Sequence, residues 1–416
     1  MGYLALLRKN RNFRLLWMAQ VVSEIGDWFY TVAIYSLLLE YTGSAKSVAL
    51  AFTLQVMPQF FASPTAGVIN DRLSRRKVML FADWARAGIV AGMLLIRGPE
   101  TVNLLYALLF LETILWALFE PGRTATIPNI TTGRDVITGN ALSSITWSFN
   151  FAVGSALGGV IAAFFGRETV FVLNAASFVV SGLLIQRMRF EEPHLKDLPP
   201  FRARDLFDFR PIAEGFRYVR SDAKLAATMM VKAGLGLIGT NWVILPVLGR
   251  DWFPVQMEGL TGDQAGTLGM SLLLGARGVG AIAGPLVAGM IARQEEGRMR
   301  PAIALGFGLA AAGYLLLSQA VGPLTAGLAV ALGHAGGSIT WVFSTTLLQL
   351  QTEDRFRGRV FSVEFGFSVL VMAVMSSVAG VLIDRGVSPF GLAGLTGVVL
   401  LAPGALWLWA LRIWRR

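Results

Sequence analysis

The chain has 416 residues, 54% of them hydrophobic and 15% charged, with a net charge of +10 and a mean hydropathy of +0.59. A soluble domain carries about 25% charged residues, so a large soluble domain is excluded, and apolar runs this long exclude an outer-membrane barrel, whose strands alternate apolar and polar residues. With no cysteine and two histidines, His194 and His334, a thiolate metal site, a disulfide framework and a histidine-rich metal site are excluded as well.

A membrane helix takes about 20 mostly apolar residues. The apolar runs place spans near 14–40, 46–69, 78–97, 101–120, 136–164 and 167–187, then near 222–248, 263–292, 301–319, 323–349, 360–384 and 388–411. The expected fold is an all-α membrane protein of twelve transmembrane helices in two pseudo-symmetric six-helix halves, 1–187 and 222–416, joined by a cytoplasmic linker, 188–221. The basic start, with Arg8, Lys9, Arg11 and Arg14, precedes a hydrophobic run too long for a signal peptide. With the N-terminus cytoplasmic, 28 of the 36 Lys and Arg residues fall inside, five fall in outside loops, and Arg86, Lys232 and Arg277 lie within spans. This asymmetry predicts a multi-pass membrane protein with both termini cytoplasmic. It also accounts for the basic charge through topology and lipid headgroups, without nucleic acid.

The halves repeat. Pro64-Thr65-Ala66-Gly67 closes the second span with Asp71 and Arg72 following, and Pro285-Leu286-Val287-Ala288-Gly289 closes the eighth. Secondary transporters are commonly built from two such halves, with the substrate site near mid-membrane.

The loop after the second span reads Gly67-x-x-x-Asp71-Arg72-x-x-Arg75-Arg76-Lys77. A glycine lets helices approach closely, an acid can accept from a helix N-terminus, and the basic cluster fixes the loop to the cytoplasmic face. This resembles the signature loop of the major facilitator superfamily. In the fifth span, Gly154-Ser155-Ala156-Leu157-Gly158-Gly159 resembles the antiporter motif of its drug exporters, with Ser155 where a proline is usual. Three further stretches resemble the macrolide-efflux and enterobactin-exporter branch, the transmembrane secretion effectors: Asn12-Phe13-Arg14-Leu15-Leu16-Trp17 leading into Ser23-Glu24-Ile25-Gly26-Asp27, Asp83-Trp84-Ala85-Arg86, and Thr352-Glu353-Asp354-Arg355-Phe356-Arg357-Gly358-Arg359. The resemblance implies alternating access, and a latch between Asp71 and the other half. It also implies that the first and fourth helices of each half line a central cavity. Gly278 to Gly284 is glycine-rich, but it lies inside an apolar helix and reads as close packing. There is no Walker loop and no zinc-protease motif, so an enzyme or a cofactor is not expected.

Ionisable groups inside a membrane are costly and mark cavities or partners. Gln20, Glu24, Asp27 and Thr31 share one stripe of the first span, and Glu112 sits in the middle of the fourth. Carboxylates crowded in a low dielectric cannot all stay charged, which suits exchange of a proton for a cargo. The alternative is a structural network pairing them with Arg277 or Lys232. Asn150, Trp147 and Phe151 add amide and aromatic surface. In the second half Lys232 and Arg277 are further cavity candidates, Arg277 for an anionic cargo or a gate against a structural ion pair, and His334, a titrating group or a hydrogen-bonded core residue, shares one face of the tenth span with Ser338, Trp341 and Thr345.

The leading expectation is a monomeric secondary transporter, a proton-coupled exporter of hydrophobic or amphipathic small molecules such as drugs or siderophores. Its partners are that substrate, protons and membrane lipids. A lysophospholipid transporter, a polar-nutrient importer and a non-transporting sensor or scaffold with the same fold are the alternatives.

Overall fold

The computed structural model describes residues 2–195, 210–292 and 296–414. Residues 196–209, the middle of the expected linker, and residues 293–295 lie outside the described residues.

A short helix α1 (Tyr3–Lys9) leads into α2 (Arg11–Thr42), α3 (Ala45–Arg72), α4 (Arg75–Gly92), α5 (Val102–Ile130), α6 (Arg134–Phe165) and α7 (Arg167–Gln186). After the linker come α8 (Arg210–Arg220), α9 (Ala223–Leu235), α10 (Asn241–Val247), α11 (Gly262–Ala292), α12 (Glu296–Leu317), α13 (Pro323–Gln351), α14 (Asp354–Asp384) and α15 (Pro389–Trp414). Among the described residues, ten helices are long and apolar enough to cross a membrane. The other two long helices, α2 and α3, have 32 and 28 residues, ample length at about 1.5 Å per residue. Their apolar runs are interrupted by Gln20, Glu24, Asp27 and Glu40 in α2 and by Gln55, Gln59, Asn70 and Asp71 in α3.

The helix boundaries follow local chemistry. The Ser74 hydroxyl accepts from the Lys77 amide and caps α4. Asp222 accepts from the amides of Lys224 and Leu225 and caps α9. Gly166 turns the chain from α6 to α7 at φ +86°, where a Cβ is strained. The span expected at 222–248 is not one α-helix. A 3₁₀ turn at Gly236–Thr240 separates α9 from α10, and a π turn, Leu248–Trp252, follows. Glycine is needed there, because a Cβ on Gly239 would lie 2.5 Å from the Met372 carbonyl oxygen of α14.

The chain forms two compact units: Met1–Leu37 with Leu54–Asp208, and Leu38–Thr53 with Phe209–Arg416. The hairpin between α2 and α3 therefore belongs to the second unit, although it lies in the first half of the sequence. In the first unit, Leu6, Phe13, Leu16, Met79, Phe119 and Ile185 form a buried core at the linker-side ends of the helices. Gly158 lets α6 lie directly on α2, since a Cβ there would sit 2.6 Å from the Phe29 Cα. In the second unit, Asp384 at the end of α14 accepts from the Ser44 hydroxyl at 2.5 Å and the Ala45 amide at 2.7 Å. It thereby caps α3 from another helix. Gly380, one turn earlier, leaves room for Ala49, whose Cβ would be 2.9 Å from an added Cβ.

Candidate functional site

The first unit holds a buried charge cluster centred on Arg86, which is 1% exposed. Its guanidinium bonds Asp83 at 2.6 Å and lies 3.9 Å from both Asp27 and Glu112 through the same Nη1. The rings of Phe119 and Phe178 stand 4.6 and 4.2 Å from the guanidinium carbon, so apolar walls hold the charge in place. Ser181 donates to the other Asp83 oxygen at 2.6 Å, and Tyr30 donates to Glu112 at 3.2 Å. Asp83 is thus firmly held. By contrast, Asp27 Oδ1 and Glu112 Oε1 are buried and make no hydrogen bond among the described residues. Of the three carboxylates, Asp27 is the most open, with 20% of its side chain exposed against 6% for Glu112 and none for Asp83.

The stripe on α2 splits between two networks. Asp27 joins Arg86, whereas Glu24 accepts from Gln20 at 2.9 Å and from Asn150 at 3.2 Å. Gln20 accepts in turn from Arg123 at 2.9 Å, and Arg123 pairs with Glu120. Thr31 turns inward to its own helix, donating to the Asp27 carbonyl. Beside Glu24 and Asp27, Trp28 packs edge-on against Phe151 at 4.5 Å and against Trp147 at 5.8 Å. Gly154, one turn from Asn150, leaves room for Trp28, and Gly159 is buried.

Within this unit Arg86 is the basic partner of Asp27 and Glu112, while Glu24 belongs with Gln20 and Asn150. Arg86 was legible as one of three basic residues inside spans, and only its spacing of three residues from Asp83 hinted at the pairing. In the second unit, Lys232 pairs at 2.8 Å with Glu364, a residue the sequence reading missed. Arg277 lies over the Trp242 ring at 3.7 Å. The four residues at helical spacing in α13 fan out to different neighbours. His334 meets Tyr314 of α12 at 3.2 Å, Ser338 donates to Ala281 of α11, Trp341 covers Lys232, and Thr345 bonds its own helix. Gly280 and Gly284 face Ala331 and Ala335, as close packing of α11 on α13 requires.

In the loop after α3, a Cβ on Gly67 would meet no atom within 4 Å. Among the described residues, close helix approach at this glycine is therefore not seen. Among the described residues, the Asp71 carboxylate meets only Arg75 of its own turn, at 3.6 Å, with 75% of the side chain exposed. Arg75 and Arg76 make contacts within their own unit. Arg75 donates to the Ala125 carbonyl of α5 at 2.9 Å, and Arg76 donates to the Ile185 and Gln186 carbonyls at the end of α7. Arg76 thereby satisfies the C-terminus of α7, and Arg75 ties the loop to α5. Lys77 is exposed, and Arg72 is half-buried. The start of the linker returns to this loop, where Glu192 accepts from Ser74 at 2.5 Å and His194 bonds the Leu73 carbonyl at 3.1 Å.

The family model described as transmembrane secretion effector matches residues 2–415. The chain belongs to the transmembrane secretion effector family. Its fold is that of the major facilitators. A nucleoside transporter, NupG, superposes with a TM-score of 0.70 at 11% identity, covering 96% of this chain and 98% of that one. A peptide transporter, POT, in complex with alafosfalin gives 0.74 at 14% identity, covering 98% and 95%. Among curated relatives, the MFS-type transporter YkuC of Bacillus subtilis is 26% identical over 64% of this chain and 64% of its own. The multidrug efflux pump Tap of Mycobacterium tuberculosis is 30% identical over 49% of this chain and 50% of its own. The chain thus spans between half and about two thirds of the length of these two relatives. Family and fold are those of transporters, proteins embedded in membranes by multiple helices.

Proposed function

We propose that this secretion effector protein is a proton-coupled exporter of hydrophobic or amphipathic small molecules, working by alternating access as a monomer in the bacterial cytoplasmic membrane with both termini cytoplasmic. One observation carries the reading: two buried carboxylates, Asp83 and Glu112, and the half-buried Asp27 share a single guanidinium. With all four groups ionised, the cluster holds two uncompensated negative charges, and an interior of low dielectric penalises both. A proton is the smallest species that relieves this. Asp83 is fixed by its short contact and by Ser181, so Asp27 and Glu112, each loosely held at 3.9 Å, are the groups that exchange it. Asp27 is the more accessible and ranks first. Glu24 and Asn150, with the aromatic group of Trp28, Trp147 and Phe151, supply polar and apolar surface for an amphipathic cargo. The name of the relative Tap, a multidrug efflux pump, supports the export direction.

Transport by the protein in sealed vesicles, with and without an imposed pH gradient, tests this. Asp27→Asn is expected to abolish gradient-driven transport while downhill exchange of the same compound persists. Gradient-driven transport at wild-type rate by the Asp27→Asn, Glu112→Gln, Glu24→Gln triple variant eliminates carboxylate coupling at these sites.

A further inference from the structure

The second unit contains a buried ion pair that the coupling cluster does not use. Lys232 on α9 and Glu364 on α14 are 5% and 1% exposed, and Nζ lies 2.8 Å from Oε2. The second carboxylate oxygen, Oε1, is buried and makes no hydrogen bond among the described residues. An ammonium has three donors, and Glu364 accepts the one hydrogen bond seen from Nζ. Nζ otherwise faces the rings of Trp341 at 4.3 Å and Phe361 at 5.8 Å. A buried pair stabilises a fold only when its remaining lone pairs and protons are satisfied, and among the described residues they are not. Aromatic faces compensate an ammonium less well than an anion does.

Position adds a second observation. Lys232 is the tenth residue of α9, Glu364 the eleventh of α14, and Trp341 the eleventh from the end of α13. At 1.5 Å per residue, all three lie about 15 Å along their helices from the linker-side ends, at a common level of the unit. Trp341 is 38% exposed while Lys232, whose ammonium lies against its ring, is 5% exposed. The ring therefore stands between Lys232 and the exposed face of the unit. A compact ammonium suits a single anionic oxygen, and the flanking Trp341 and Phe361 rings suit an apolar body attached to it.

We propose that Lys232 is an anchor for the carboxylate of an amphipathic, aromatic or alkyl acid, and that Glu364 is the resident competitor this carboxylate displaces. The proposal deepens the exporter reading by naming a cargo class and rests on it for the direction of transport, but the binding step needs neither a gradient nor the Arg86 cluster.

Binding is measured on the full chain in lipid nanodiscs without a pH gradient, using 2-naphthylacetate and its neutral amide as matched probes. Glu364→Gln is expected to tighten 2-naphthylacetate at least about tenfold by removing the competing charge, with the amide unchanged. Lys232→Gln is expected to weaken the acid by a similar factor, and Lys232→Arg to retain it. If Lys232→Gln fails to fold, the Glu364→Gln comparison alone decides. Unchanged or weaker acid binding by Glu364→Gln, or no acid binding by either wild type or this variant, overturns the proposal and leaves the pair as a tie between α9 and α14. Because no gradient is applied, these outcomes are separate from loss of coupling in the Asp27 and Glu112 variants.

Discussion

Removing the guanidinium of Arg86 is the most direct perturbation of the buried cluster. Arg86→Met keeps much of the apolar stem between Phe119 and Phe178 but leaves Asp83, Asp27 and Glu112 without their cation. At an effective dielectric of about 20, a contact of 3.9 Å corresponds to about 4 kcal/mol and one of 2.6 Å to about 6 kcal/mol. These gross attractions are largely offset in the intact protein by the desolvation of the charges. The net cost of deleting one partner of a buried pair is about 3–5 kcal/mol, a factor of about a hundred to a few thousand in the folding equilibrium. Arg359→Met supplies the contrast. Arg359 bonds Glu214 at 3.0 Å, closer than Asp27 or Glu112 lies to Arg86, yet the two side chains are 39% and 41% exposed. Solvent screening keeps that loss below about 1 kcal/mol. Denaturant unfolding in detergent micelles, followed by tryptophan fluorescence, compares both variants with wild type. An Arg86→Met effect no larger than that of Arg359→Met would refute the assignment of Arg86 as the counter-charge on which the cluster depends.

Other expectations follow from single contacts. Glu112→Gln removes one of two excess charges and a loose contact, so its stability is expected within about 1 kcal/mol of wild type, while its cargo preference in vesicle transport shifts away from cationic compounds. Gly158→Leu drives a side chain into the Phe29 backbone and is expected to cost at least about 1–3 kcal/mol, seen as loss of the monodisperse peak in size-exclusion chromatography. Asp384→Asn removes the charge that caps α3 and is expected to cost about 1 kcal/mol, read as faster hydrogen exchange at the Ala45 and Lys46 amides. Reporter fusions at Asp205 and Arg415 are expected to give cytoplasmic signals and a fusion at Gln256 an outside signal. A cytoplasmic signal at Gln256 contradicts the span count.

The helical fold was legible because membrane spans are written in composition and length, which one sequence displays directly. The identities of ion partners were not, because pairing depends on which helix faces which. Asp27 and Glu112 were found from their cost in hydrocarbon, and the same cost applied to Arg86. What one sequence does not display is that α4 turns Arg86 toward α2 and α5. Glu364 lies only ten residues from the charged start of α14, so it reads as part of a polar helix end. The break between α9 and α10 was hidden for a related reason. Gly236 and Gly239 look like ordinary small residues until the backbone of α14 is seen against them. The spacing of His334, Ser338, Trp341 and Thr345 predicted a shared face, and three neighbouring helices divide it.

The hairpin Leu38–Thr53 has a consequence for dissecting the protein. The two compact units do not coincide with the two sequence halves, since this segment is encoded in the first half and packs in the second unit. Cutting the gene at the linker would leave the C-terminal fragment with Gly380 bare and Asp384 lacking the amides it caps. It would leave the N-terminal fragment with a helical arm that has lost its dock. Co-expressed fragments therefore carry a built-in mutual recognition element, and a C-terminal fragment supplied with a tethered copy of residues 38–53 should be recovered more readily than the fragment alone.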